Sequence, residues 1–272
     1  MEIRTARGVD VPAVGLGTWG LNGESCRVTV RTALETGYRH VDTAQAYDNE
    51  RQVGTAIGES AVDRESVFLT TKLSGNNRGY DDVIRSVEES LAKLSTSYVD
   101  LLLIHWPNIT TPLRETIAAI DELIDRGTVR HAGVSNFDVD TLHRARELSD
   151  HGILTNQVQY HVFYDRGELL DYCRIHDLLL TAYSPLAHGG VLDDEMLSRV
   201  GDRYQKTPAQ VAIRWLIEQP NVVTVPKASS REHLEQNIDI FDFELTESER
   251  AELHRPSRLR TLTGVARRRL FG

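Results

Sequence analysis

Short apolar runs rich in β-branched residues alternate along the chain with amphipathic stretches of helical length, the pattern of βα units around a parallel sheet. Eight runs stand out, near residues 14–17, 40–43, 67–72, 99–105, 131–135, 156–160, 179–184 and 222–227. Their nearly continuous apolar character predicts strands covered on both faces. Between them, Val83, Ile84, Val87, Leu91 and Leu94 repeat at helical spacing after Asp81-Asp82, and Ile117, Ile120, Leu123 and Ile124 do the same up to Gly127. These predict an outer ring of helices. Ahead of the first run, residues 3–5 and 9–11 flank Arg7-Gly8, a turn that predicts a small hairpin at the bottom of the barrel. No Pro/Gly-rich linker or block of like charge divides the chain. The expected architecture is α/β, a (β/α)8 TIM barrel with an N-terminal β-hairpin, forming one domain over residues 1–272.

Composition narrows the partners. The chain has 272 residues, 40% of them apolar, enough for one large core. A formal net charge of −9 would be repelled by a nucleic acid backbone or an anionic membrane, so a small molecule is the expected partner. The opening residues carry no apolar leader and no run reaches membrane-spanning length, so the expectation is a cytoplasmic protein, and a monomer. Cys26 and Cys173 are too few for a disulfide framework and lack metal-ligand spacing; no metal site is expected. Asn108-Ile109-Thr110 fits a glycosylation acceptor, which matters only in a secreted chain.

One motif suggests a different fold. Gly15-Leu16-Gly17-Thr18-Trp19-Gly20 matches the dinucleotide fingerprint G-x-G-x-x-G, with Glu35 downstream. That fingerprint needs a strand before it and a helix starting inside it, whereas Pro12 precedes this one and Leu21-Asn22-Gly23 follows. A Rossmann domain is therefore disfavoured.

Polar and titratable residues gather at the carboxyl ends of the predicted strands. Asp42, Lys72, His105, Ser135-Asn136, Gln157, Tyr183 and Lys227 each close an apolar run, and in a barrel such positions converge on one mouth. Asp42 and Lys72 form an ion pair on the plainest reading. Tyr47, five residues past Asp42, adds chemistry: a phenol beside a buried lysine is expected to have its pKa lowered towards neutrality and to serve as a general acid. His105 alone reads as a satisfied core histidine, and Tyr183 as a core aromatic; in this company both read as site residues.

These segments, in this order, resemble the aldo-keto reductase superfamily. The resemblance runs from Gly15-Leu16-Gly17-Thr18-Trp19 through Asp42-Thr43-Ala44, Tyr47, Asn49-Glu50, Thr71-Lys72, residues 101–107, residues 133–137 and Asn156-Gln157-Val158. It continues through residues 182–186 and Val225-Pro226-Lys227 to residues 241–245. It implies NAD(P)H-dependent reduction of aldehydes and ketones by hydride transfer. Tyr47 would be the proton donor, Lys72 would tune it, Asp42 would hold Lys72, and His105 would orient the carbonyl. It further implies that Ser135, Asn136 and Gln157 contact the nicotinamide carboxamide and that Tyr183 stacks on the ring. Thr18 and Asp42 would also contact the cofactor, and Ser184 and Leu186 the pyrophosphate. Gln236 and Asn237 would contact the adenine, with Lys227, Ala228 and His233 around the adenosine phosphate. Trp19 and Trp106, with Tyr47 and His105, would bound the substrate, although either tryptophan alone reads equally as packing. The short chain is most similar to the bacterial and protozoal branch, including 2,5-diketo-D-gluconate reductases, that reduces diketo sugars, methylglyoxal and other small carbonyls.

The adenosine end departs from that pattern. Where the family commonly carries Ser or Thr after the lysine and Arg six residues past it, this chain has Ala228 and His233. A histidine is a weaker partner for a 2′-phosphate than a bidentate guanidinium. Appreciable use of NADH beside NADPH is therefore expected, with Arg231 a nearby substitute. The arginines of Arg258-Leu259-Arg260 and Arg267-Arg268-Arg269 make a basic tail, expected to be solvated or to fold over the pocket. Two other classes compete: a Schiff-base aldolase or isomerase using Lys72 without cofactor, and a regulatory, cofactor-binding barrel subunit.

Overall fold

The structure is a computed structural model and describes residues 2–75, 78–108 and 111–257. The basic tail and part of the 108–110 acceptor lie outside the described residues. Two antiparallel strands, β1 (Ile3–Ala6) and β2 (Val9–Pro12), precede eight parallel ones. These are β3 (Leu16–Gly17), β4 (His40–Asp42), β5 (Phe68–Leu73), β6 (Val99–Ile104), β7 (Val129–Ser135), β8 (Ile153–Gln159), β9 (Leu179–Tyr183) and β10 (Val222–Thr224). They pair in chain order, and every predicted strand is found where the apolar runs placed it. The two ends of the sheet meet: the Gly15 N–H donates to the Thr224 carbonyl at 2.8 Å and the Gly17 N–H to the Pro226 carbonyl at 3.0 Å. That seam closes a (β/α)8 barrel.

The helices follow the strands as the periodicity requires: α1 (Gly23–Thr36), α2 (Glu50–Gly58), α3 (Tyr80–Leu94), α4 (Leu113–Asp125), α5 (Val139–Leu148), α6 (Gly167–Ile175), α7 (Glu195–Tyr204), α8 (Pro208–Ile217), α9 (Arg231–Ile238) and α10 (Glu247–Leu253). Local chemistry sets their ends. Thr207 and Gln210 form a capping box ahead of Pro208 at the start of α8, and Thr246 with Glu249 repeats it at α10, satisfying otherwise orphaned N–H groups.

Strand β6 shows why its apolar run is unbroken. Leu102 and Ile104 pack outward with the helices, while Leu101 and Leu103 join Ala6, Val11, Leu154, Leu179 and Val223 in a second cluster inside the barrel. Ala6 and Val11 belong to the hairpin, so the hairpin covers the lumen as expected. Each buried leucine contributes about 1.5–3 kcal/mol.

The G-x-G-x-x-G segment sits on the closing seam. A Cβ at Gly15 would meet the His40 ring at 2.6 Å, and one at Gly17 would meet the Val225 carbonyl at 2.6 Å. These glycines permit close backbone approach between β3 and its neighbours, and no helix starts until Gly23. The motif closes a barrel instead of opening a Rossmann unit.

Candidate active site

Asp42 is the last residue of β4, Lys72 the fifth of β5, and His105 follows β6 directly. The barrel therefore brings them to one mouth. Lys72 is fully buried and makes three contacts: with Asp42 Oδ1, with the Thr43 carbonyl at 2.9 Å, and with the Tyr47 hydroxyl at 3.4 Å. An ammonium has three donors, and here each has an acceptor. Burial works against the charge on Lys72, but the neighbouring Asp42, and then Tyr47, outweigh it and raise its pKa.

Tyr47 lies on a single turn of 3-10 helix, Gln45–Tyr47, which ends at Asp48 in a left-handed conformation (φ 54°). Its phenol is not lowered towards neutrality as the sequence suggested. Burial pushes it up, Lys72 opposes that without overcoming it, and the Asp42 charge adds to the rise. The phenol thus carries its proton at neutral pH, the state a general acid needs, and the Lys72 charge lies where it would favour a phenolate over an unpaired anion.

His105 meets the Tyr47 ring edge-on at 5.8 Å between centroids and lies near-parallel to Trp106 at 6.5 Å. Burial, then the Lys72 charge, pushes its pKa down to about 4. It is a neutral hydrogen-bonding group above that pH, not a cation. Trp19 and Trp106 are about half exposed, at 48% and 54%, so neither is ordinary core packing.

A cavity of about 630 Å³ joins these residues to the proposed cofactor residues. Trp19, Asp42, Tyr47, His105, Trp106, Ser135, Asn136, Gln157, Tyr183, Ser184, Leu186 and Lys227 all line it. The polar members are cross-linked. The Tyr183 hydroxyl donates to Asn136 Oδ1 at 2.8 Å, Asn136 Nδ2 donates to the His105 carbonyl at 3.0 Å, and Ser135 Oγ donates to the Gln157 carbonyl at 2.8 Å. Tyr183 is therefore tethered at its hydroxyl, unlike a free core aromatic.

Thr18, Lys72, Ala228, His233, Gln236 and Asn237 do not line the cavity. Thr18 is buried and donates to the Asp42 carbonyl at 3.0 Å. Ala228 is buried at the approach to α9. His233 is exposed, and its N–H caps onto Ser230; Gln236 donates to Glu232 at 3.2 Å. Asn237 is buried and hydrogen-bonded to Tyr38. Arg231, the nearby substitute for phosphate binding, is engaged by Glu35 at 2.8 Å and Glu235 at 3.6 Å.

Sequence reasoning missed the supports. Asn49 is fully buried, accepts from Thr43 at 2.6 Å and donates to the Thr18 and Leu21 carbonyls, fastening the Tyr47 turn to the first loop. Arg78 is buried and donates to the Trp106 and Ser74 carbonyls, joining the loops after β5 and β6. His188, Pro185 and Gly189 also line the cavity, on a loop where Ser184, Ala187 and His188 all adopt positive φ. Strain of that kind concentrates at functional sites, but φ is not readable from residue type. No group of three or more His, Cys, Asp or Glu residues fit to hold a metal is present among the described residues. No described helix is long and apolar enough to cross a membrane.

Residues 13–256 match the model of the Aldo/keto reductase family. The chain is 38% identical over 248 residues to glyoxal reductase of Bacillus subtilis (strain 168), covering 91% of this chain and 89% of the relative. It is 39% identical over 238 residues to methylglyoxal reductase DkgB of Escherichia coli O157:H7, covering 86% and 89%. Among solved structures, a putative 2,5-diketo-D-gluconic acid reductase B superposes with a TM-score of 0.92 at 44% identity, over 93% of this chain and 90% of the other.

Proposed function

The chain belongs to the aldo/keto reductase family, and from that premise we propose that it reduces small aldehydes and ketones with NADPH or NADH, Tyr47 donating the proton. The observation that carries this reading is the fully buried Lys72, paired with Asp42 and 3.4 Å from a Tyr47 hydroxyl that shares a cavity with His105. His105, neutral and beside Tyr47, is suited to hold a carbonyl oxygen in place while Tyr47 protonates it. Lys72 stabilises the resulting phenolate. A bound reduced nicotinamide supplies the hydride.

The residues present fit such a cofactor. Tyr183 is fixed by its hydroxyl, and amide and hydroxyl groups of Ser135, Asn136 and Gln157 line the same cavity, a set able to hold a carboxamide beside an aromatic ring. Thr18 and Asp42 would border the same region, Ser184 and Leu186 the diphosphate. Lys227, Ala228, His233, Gln236 and Asn237 would take the adenosine end. With Ala228 and His233 in place, and Arg231 occupied by Glu35 and Glu235, the grip on a 2′-phosphate is weak and both cofactors serve. The relatives' names point to glyoxal, methylglyoxal and diketo sugars as the substrate class.

A Schiff-base role for Lys72 is disfavoured by the same geometry. A nucleophilic lysine needs a free amine with a lowered pKa, and Asp42 raises this one.

The test is oxidation of NADPH and NADH, in parallel, by purified protein with methylglyoxal, comparing Tyr47→Phe. The expected outcome is turnover with both cofactors at similar efficiency, and a loss of about 10²- to 10⁴-fold in the variant with cofactor binding retained. A hundredfold preference for NADPH would sink the dual-cofactor reading. Full activity in Tyr47→Phe would remove the proton donor, and cofactor binding with no turnover on any carbonyl would favour the regulatory barrel.

A further inference from the structure

Gln157 is expected from the sequence to serve the cofactor alone, yet its side chain is committed elsewhere. It is buried, at 2% exposure, and its Nε2 donates to Asp42 Oδ2 at 2.7 Å. The two amide atoms are told apart by chemistry: a carboxylate only accepts, so the nitrogen faces it and Oε1 is left for a ligand N–H. Strands β8 and β4 are not neighbours in the sheet, since β7, β6 and β5 stand between them. The bond therefore spans the lumen, where no backbone ladder can form. Asp42 uses one oxygen for Lys72 and the other for Gln157. A carboxyl held at one oxygen can turn about its broad terminal torsion; one held at both cannot.

We infer that Gln157 is a positioning residue of the proton-transfer cluster, whose amide N–H fixes the Asp42 carboxylate and, through it, Lys72 at the Tyr47 hydroxyl. This rests on the reading of Tyr47 as proton donor. Without that N–H, Asp42 Oδ2 is left unpaired in a buried site, and Asp42 turns both oxygens towards Lys72. Lys72 is then drawn from Tyr47, and the phenolate loses support. The titratable groups facing Tyr47 are Asp42 on β4, Lys72 on β5, His105 after β6 and Tyr183 at the end of β9. Gln157 carries no charge itself, so it acts on Tyr47 only through the pair.

The test uses Gln157→Met, which keeps the volume without the N–H, and Gln157→Glu, which keeps the polarity and covers the case where the first fails to fold. In ligand-free enzyme labelled with 13C-tyrosine, the Cζ resonance of Tyr47, assigned by its loss in Tyr47→Phe, is expected to move in both variants. With methylglyoxal and NADPH, kcat is expected to fall about tenfold and its pH profile to shift by about one unit, the worth of one hydrogen bond to a charged group. An unmoved Tyr47 resonance and a superimposable pH profile, with the whole loss in cofactor affinity, would overturn the inference and leave Gln157 a carboxamide contact. Absence of carbonyl turnover in the wild type would instead overturn the reductase reading, and the ligand-free resonance would still decide the role of Gln157.

Discussion

The cluster of Asp42, Lys72 and Tyr47, proposed to transfer the proton, and the α9 segment both lie at or after carboxyl ends of barrel strands, yet they are held in different ways. Around Lys72 the side chains are buried, and the contacts run to other buried groups: Asp42, the Thr43 carbonyl, Gln157. Around Arg231 the partners are exposed carboxylates, Glu35 and Glu235, and His233 is tied to its surroundings through its backbone N–H. Buried pairs are costly to break, whereas exposed ones contribute little. The groups proposed to transfer the proton are thus locked into the core, while the segment proposed to tell one cofactor from another is open to substitution.

The largest expected effect comes from breaking the buried side of that contrast. Lys72→Met leaves the Asp42 carboxylate uncompensated and should cost about 3–5 kcal/mol of stability, read from the urea midpoint, as well as activity. Replacing both partners, Lys72→Met with Asp42→Leu, should recover most of the stability and none of the activity. If the single variant matched wild type in urea, the pair would not be part of the barrel's support.

An intermediate effect concerns pH. Burial pushes His40 and His105 down to about 4 from the usual 6.5. The unfolded chain therefore takes up protons between pH 6.5 and 4 that the folded chain refuses, so stability is complete above about 6.5 and is lost as pH falls towards 4. His40, wholly inside, should account for roughly 3 kcal/mol of that loss, and His40→Gln should flatten the acid limb of a stability-against-pH curve. An unchanged limb would mean that His40 gains a proton without cost.

The smallest expected effect sharpens the exposed side. His233→Arg should improve the NADPH-to-NADH ratio of kcat/KM by about tenfold, one charge-assisted hydrogen bond, while the urea midpoint stays unchanged. A stability loss comparable with that of Lys72→Met would erase the distinction between the two regions.

The fold was legible because its strands are buried on both faces. Leu101 to Ile104 read as one apolar run since alternate residues enter different clusters, one inside the barrel and one beneath the helices. The meeting of Asp42, Tyr47, Lys72 and His105 at one mouth was legible because each of them ends or closely follows such a run. The Tyr47 pKa was misjudged, since sequence proximity to a lysine names the charge but not the desolvation that outweighs it. Arg78, and the bracing role of Asn49, were not legible because both donate to backbone carbonyls, which leave no trace in residue type.

The sequence by itself determined the alternation of strand and helix, the hairpin and the identity of the residues at the strand ends. These follow from periodicity and residue chemistry, which are local properties. Tertiary structure alone decided that Gln157 reaches Asp42 across the lumen, that Tyr183 is tethered by Asn136, and that Asn237 turns to Tyr38. Closing a barrel brings together strands far apart in the chain, and only the closed geometry sets which side-chain atoms meet inside it and how much water is left around them.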